Sequence, residues 1–246
     1  MGTALTNLWY KTVFNQKLLF GYFKKPPLNP PSKDGYTLAF SDEFTSPIDW
    51  NKWSEIEPWE QWNPRGTYQK SQVTQRQSSA FLTSIHQNGK LISGLLDTWK
   101  TFTIKYCFAE IRMKVPPKTG NFWPCFWCYD PNGWLPEVDI AEFQKGMGSE
   151  YTVTQHDRET SPGKHEERGL KITGIDFTKD FHTFGMEWSN SKLLFYLDNL
   201  PIYLSTTNIP DIPFHFLVSM GGQTGLPDTA FPATLEVDYV RIFRKN

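Results

Sequence analysis

Three absences limit what this 246-residue chain can be. Charge bias is almost nil: 25 basic against 26 acidic side chains leave a net charge of -1, so no electrostatic footprint for nucleic acid or an anionic membrane is present. Cysteines number only three, an odd count that implies no disulfide framework. No apolar run reaches membrane-spanning length, and no long stretch carries helical periodicity. Internal repeats and low-complexity segments are missing as well. Cys125 and Cys128 are spaced like a Cys-x-x-Cys pair, but Phe126 and Trp127 sit between them in an apolar run. On a strand, positions three apart face opposite sides. Both read as small core residues, as does Cys107.

Aromatic side chains are what the chain does have, 16% of it, and many flank polar residues, which suits sugar-stacking surfaces as well as cores. The length allows one large β domain or two small ones. Residues 1–23 are apolar-rich without a clean period, and Asn7, Lys11, Asn15, Gln16 and Lys17 make them a poor signal peptide. Pro26-Pro27, Pro30-Pro31 and Asp34-Gly35 then form a stiff connector. Residues 1–35 are therefore expected to be an extension packed on a single domain, 36–246. Within that domain short β-type runs alternate with turn signals. Asn88-Gly89 predicts a hairpin between Phe81–His86 and Lys90–Leu96, and Ser189-Asn190-Ser191 another between Phe184–Trp188 and Lys192–Leu197. About a dozen strands without helices predict an all-β fold, a two-sheet antiparallel sandwich of jelly-roll type.

One stretch stands out. Glu137-Val138-Asp139-Ile140-Ala141-Glu142 packs three carboxylates into six residues with apolar spacers. On a strand Glu137 and Asp139 share one face while Val138 and Ile140 pack into the other. Glu142 breaks the parity. One extra residue at Ile140-Ala141, a β-bulge, turns it back to join the other two acids. The Glu backbones then stand about 13 Å apart, and both long side chains must lean inward over the shorter Asp to meet at one bond. Three carboxylates on one face cannot all ionise at equal cost, so at least one pKa rises. Paired carboxyls with separated pKa values are the working parts of glycoside hydrolysis. A structural acidic cluster or a metal site fits these six residues equally well, so the rest of the chain decides.

Five further stretches carry a resemblance: Leu38–Phe44, Phe108–Lys114, Asn121–Trp127, Phe181–Trp188 and Phe231–Val240. In this order, with the acidic stretch, they resemble glycoside hydrolase family 16, the laminarinase, lichenase, agarase and carrageenase group, over residues 36–246. The acidic stretch is similar to the family's bulged catalytic motif. The resemblance implies a concanavalin-A-like jelly roll with an open concave cleft. It implies Glu137 as nucleophile, Glu142 as general acid and base, and Asp139 as the residue that holds the nucleophile's charge state. A retaining reaction follows, since a retaining pair stands about 5–5.5 Å apart.

The resemblance also points to Trp134 as a sugar contact and to His156 on the following strand. Trp123 and Trp127 share one face of their strand by parity, where sugar contact competes with core packing; contact is expected for Trp123 and the core for Trp127. His182 and His215 are expected to be structural. Trp59, Trp62, Asn63 and Arg65 in the 57–68 loop, and Trp99, complete the substrate-binding set. Arg65 could read a sulfate or carboxylate. No cofactor is required for the chemistry. A structural Ca²⁺ is the one metal implied, on Asp238 and the carbonyls of Gly89 and Glu43; an ordinary surface-strand role for Asp238 competes. Leu95 stands where the family usually carries Arg, and Ser219 where an Asn often lines the cleft. Such changes in hydrogen-bond donors govern specificity.

The expected function is therefore an endo-acting, retaining β-glycanase cutting β-1,3 or mixed β-1,3/1,4 linkages of a β-glucan. The alternatives are the same chemistry on an algal galactan, a transglycosylase, or a non-catalytic sugar-binding sandwich. A polysaccharide is the expected partner of a monomer, with no nucleic acid and no membrane. The resemblance places it outside the cell or in the cell envelope.

Overall fold

Runs in which alternate side chains are apolar can bury one face only by stacking on a second sheet, and this chain does so. The computed structural model describes residues 33–54, 66–117, 122–143, 148–157, 164–222 and 230–246, with the backbone alone at 59–60. The first 32 residues of the expected extension lie outside the described residues. In chain order the strands begin with β1 (Tyr36–Asp42), β2 (Trp59–Glu60), β3 (Gly66–Tyr68), β4 (Val73–Arg76), β5 (Ser79–Gln87) and β6 (Lys90–Ser93). They continue with β7 (Leu95–Asp97), β8 (Cys107–Lys114), β9 (Phe122–Tyr129), β10 (Glu137–Glu142), β11 (Glu150–His156) and β12 (Glu167–Thr173). The last five are β13 (His182–Trp188), β14 (Leu193–Leu197), β15 (Leu200–Ser205), β16 (His215–Gly222) and β17 (Ala233–Lys245). No α-helix occurs among the described residues, so none is long and apolar enough to cross a membrane.

Two sheets form. One has eleven strands in the order β15-β14-β13-β8-β17-β5-β6-β3-β2, with β1 pairing β17 and β4 pairing β5. The other has six, in the order β12-β11-β10-β9-β16-β7. The fold is the expected jelly-roll sandwich, and among the described strands it departs from strict antiparallelism at one pair, β3 and β6, which run parallel. The facing sides bury a continuous core in which Phe143, Tyr151, Phe177 and Phe184 meet edge to face. Aromatic pairs in this arrangement are worth about 0.5–1.5 kcal/mol each beyond their burial.

Both expected hairpins are present. Gln87 pairs Lys90 across Asn88 and Gly89, whose φ values of 53° and 75° are those of a tight twisted turn. Trp188 pairs Leu193. The strand expected over 90–96, however, is broken at Gly94. Its first half belongs to the large sheet and its second half to the small one. The chain changes sheets where a Cβ on residue 94 would stand 2.7 Å from the Gln72 carbonyl oxygen and 3.0 Å from the Leu82 Cα. Only glycine fits against backbone that close. Gly94→Ala is expected to cost about 1–3 kcal/mol, read as a fall in Tm of roughly 3–10 °C.

Candidate active site

The small sheet has one face in the core and one open. Along β10, Val138, Ile140 and Ala141 are buried in the core between the sheets. Glu137, Asp139 and Glu142 turn the other way. Burying Val138 and Ile140 stabilises the strand by about 2 kcal/mol each, which helps offset three acids held out of water. Register identifies the device. Against β9, Asp139 faces Trp127 and Ala141 faces Phe126, leaving Ile140 without a partner. Against β11, Asp139 faces Thr154 and Glu142 faces Thr152, so Val153 alone spans Ile140 and Ala141. This is the bulge that parity demanded. Without it Glu142 would point into the core.

Each acid has named partners. The Trp134 indole N–H donates to Glu137 Oε2 at 2.9 Å. The Trp123 N–H donates to Glu142 Oε1 at 2.9 Å, and the Thr152 hydroxyl reaches Glu142 Oε2 at 3.1 Å. His156 Nε2 lies 3.0 Å from Asp139 Oδ2 and 3.6 Å from Glu137 Oε1. The Cys125 thiol points at Asp139 Oδ1, 3.6 Å away. Only 8, 3 and 6% of Glu137, Asp139 and Glu142 is exposed, so the carboxyls sit in a recess rather than in bulk water.

That burial sets the proton inventory. It is the leading cause that pushes Glu137 up to about 9, with the Asp139 charge second, while the neighbouring His156 and the Trp134 N–H pull the other way. Burial also holds Asp139 well above the usual carboxylate range, and the Glu142 charge adds to it. Like charges this close do not ionise independently. A proton on Asp139 removes the second cause lifting Glu137. The groups that favour a negative charge, His156 and the Trp134 N–H, converge on Glu137, so it is the member of the pair that ionises first as pH rises. Burial first, and then the neighbouring carboxylates, push the Cys125 thiol up, so it stays protonated and is no nucleophile.

Beside the acids the open face becomes aromatic and apolar. Tyr68, Leu95 and Leu217 form a separate cluster against which Trp127 and Tyr129 pack. Trp127 stacks on Tyr129 at 5.1 Å, with ring planes 16° apart, and donates its N–H to Ser219 Oγ at 3.2 Å. Trp127 was expected in the core; it lies on the open face because it shares the parity of Trp123. Cys125 corrects a similar expectation: it lies beneath Asp139, whereas Cys128 and Cys107 are in the core between the sheets. Leu95 is fully buried under this floor, so it supports aromatic rings instead of reading a hydroxyl. Trp99 and Trp134 are, with Leu38, the large hydrophobic side chains left exposed among the described residues. The Trp99 N–H donates to the Pro131 carbonyl at 3.0 Å, on the loop that leads to Trp134. His182 and His215 are structural, as expected: their Nδ1 atoms lie 2.7 Å from Asp198 and 2.8 Å from Asp97, all buried.

Trp62, Asn63 and Arg65 lie outside the described residues, and for Trp59 only the backbone is described, in β2 opposite Tyr68. The Ca²⁺ ligand set does not fit. Val237 pairs Ala80, so Asp238 sits at the start of β5, whereas Gly89 lies nine residues further on, beyond its far end. At about 3.3 Å per residue that is about 30 Å away. The Asp238 carboxylate is moreover ion-paired with Arg112. The turn beside Asp238 is Gln77-Ser78, at the close of the β4–β5 hairpin. Conversely, sequence reasoning passed over Thr152, Tyr129, His165 and Glu167. Counting back by twos from His156 puts Thr154 and Thr152 on its face, so Thr152 was within reach of parity alone.

A sandwich whose open face gathers buried carboxyls between indole N–H donors and a stacked aromatic floor is a carbohydrate-handling protein. The family model for "Glycosyl hydrolases family 16" matches residues 60–239, most of the chain, and the chain belongs to this family of glycoside hydrolases. It is 29% identical over 158 residues to the endo-1,3-1,4-beta-glycanase ExsH of Rhizobium meliloti, a match covering 61% of this chain and 33% of that relative. It is 26% identical over 242 residues to the keratan-sulfate endo-1,4-beta-galactosidase of Sphingobacterium multivorum, covering 85% of this chain and 55% of the relative. The chain thus spans about a third to a half of the length of these relatives. Its fold is similar to that of the crystal structure of laminarinase from Flavobacterium sp. UMI-01, with a TM-score of 0.74, 23% identity, and 85% of this chain and 100% of that chain covered.

Proposed function

We propose that this chain is an endo-acting, retaining β-glycanase that cleaves internal β-1,3 or mixed β-1,3/1,4 linkages of a β-glucan, with no cofactor in the chemistry. The observation that carries the reading is the bulge in β10, which turns Glu142 to the same recess as Glu137, on the other side of Asp139. Glu137 attacks the anomeric carbon while Glu142 protonates the departing glycosidic oxygen, giving a covalent glycosyl-enzyme and a shortened chain. Glu142, now a carboxylate, then takes a proton from water, and that water displaces Glu137 with a second inversion, so configuration is retained. Asp139 holds the proton that Glu137 must not carry, and His156 steadies the negative charge of the pair. The tryptophans do the remaining work. Trp134 and Trp123 fix the two glutamates through their N–H groups and offer their faces to the sugars beside the scissile bond. Trp127 on Tyr129 makes a platform further along the face.

The ExsH match supports a β-glucan. A second reading, a β-galactan, draws on the match to the keratan-sulfate galactosidase over 85% of the chain and on Leu95 under the floor where the family usually carries a charged donor. A polysaccharide panel of laminarin, lichenan, agarose, porphyran, carrageenans and keratan sulfate, with sizing and anomeric analysis of the products, tests all of this. Short-chain laminarin or lichenan products of retained configuration are expected. Turnover confined to a galactan overturns the substrate, inverted products overturn the mechanism, and binding without turnover leaves a lectin. Trp127→Ala is expected to raise KM roughly five- to thirtyfold while kcat changes less, the loss of about 1–2 kcal/mol of uniform binding. An unchanged KM would remove Trp127 from the substrate path.

A further inference from the structure

Just past the catalytic recess, β11 ends at His156 and β12 begins at Glu167, which pair across the strands. His165 stands two residues before Glu167. His156 Nδ1 lies 3.2 Å from His165 Nε2 and 3.4 Å from Glu167 Oε1, and His165 Nε2 lies 3.2 Å from Glu167 Oε1. A hydrogen bond joins two atoms; here three donor atoms close a nearly equilateral triangle. Ligands held tetrahedrally at Zn²⁺ bond lengths of about 2.0–2.1 Å stand about 3.3 Å apart, and each edge of this triangle is within about 0.2 Å of that value.

The surroundings suit a cation. The second ring nitrogen of His156, Nε2, lies 3.0 Å from Asp139 Oδ2. With Nε2 as the N–H donor, Asp139 Oδ2 accepts, the Nδ1 lone pair points at the triangle, and a hydrogen-bond acceptor orients the metal-binding imidazole as in zinc proteins generally. The Trp134 ring packs edge-on against His165, 5.3 Å between centroids, and fixes that imidazole. The exposed Glu167 carboxylate supplies negative charge beside the two imidazoles. The donor set of two imidazoles and one carboxylate selects zinc-class ions over Ca²⁺ or Mg²⁺, which take oxygen ligands.

We propose that His156, His165 and Glu167 form a site for a divalent transition-metal ion of the zinc class on the rim of the cleft, with water completing the tetrahedron. This site is separate from the catalytic acids and joined to them by one imidazole. It needs no assumption about the substrate.

The test uses the full chain after chelator treatment, titrated with Zn²⁺ by calorimetry and with Co²⁺ as a visible-absorption probe. One ion per chain is expected, with the intense visible bands of tetrahedral Co²⁺. His165→Ala and Glu167→Gln are each expected to weaken binding by more than about tenfold, and Asp139→Ala, which removes the acceptor behind His156, by about ten- to a hundredfold. Glu167 is largely exposed, so its variant folds. Binding that survives both His165→Ala and Glu167→Gln overturns the proposal. So does binding abolished by Glu137→Gln yet kept in His165→Ala, which would put the ion on Glu137, Asp139 and His156, the neighbouring group of possible donors. Failure of the wild-type chain to bind below about millimolar Zn²⁺ overturns it outright.

Discussion

Glu137→Ala is expected to lower polysaccharide hydrolysis by about 10⁴-fold or more, the scale on which loss of a nucleophile acts, with Tm and oligosaccharide binding close to the parent's. Glu142→Ala is expected to lose about 10²–10⁴-fold, and much less on an aryl glycoside, whose leaving group departs without a proton. The difference separates the two roles. Azide can enter the space left by either side chain, but the stereochemistry of the product differs. In Glu137→Ala it attacks the substrate directly and gives a glycosyl azide of inverted configuration. In Glu142→Ala it intercepts the glycosyl-enzyme and gives one of retained configuration. Parental turnover in either variant would remove that residue from the mechanism. Exchanged azide products would exchange the assignments.

The second large effect is on stability. Glu137 has its carboxyl raised from an ordinary 4.5 to about 9 by burial and by Asp139. A carboxyl raised by folding stabilises the native state in its protonated form. Its contribution is complete below pH 4.5 and is lost as pH climbs toward 9. Glu137→Gln keeps the shape of the protonated group and cannot ionise. At pH 8 it is therefore expected to be more stable than the parent by on the order of 2 kcal/mol, a Tm gain of roughly 4–8 °C. At pH 4 the two proteins should melt together. Thermal unfolding in chelator at the two pH values measures this. Equal Tm values at pH 8, or a gain as large at pH 4, would show that the recess does not strain an ionised Glu137. The expected gain is what a site loses in stability by burying an ionisable carboxyl for chemistry.

The acidic stretch was legible because strand parity is a local rule. Two apolar side chains on one face of β10 and two acids on the other fix Glu142 as an exception, and a bulge is the local way to resolve it. Hairpins at Asn88-Gly89 and Ser189–Ser191 were legible for the same reason: a few adjacent residues decide them. Where the reading failed, distant segments decided the outcome. Gly94 looks like a residue inside one strand until Gln72 and Leu82 close on it. Gly89 looks available to Asp238 until the register between β5 and β17 puts it at the other end of the sheet. Trp127 obeys the parity of Trp123, but whether that face meets a second sheet or the open side depends on where β13 and β17 lie.

By itself, then, the sequence determined the sandwich class, the bulge and which three acids share one face of β10, because alternation and turn chemistry act over a few residues. Only the tertiary structure decided which face of the small sheet stays open, how deeply the acids are buried and which side chains bond them. It also brought His156, His165 and Glu167 together. These depend on strand register and on contacts between segments far apart in the chain, which no local pattern encodes.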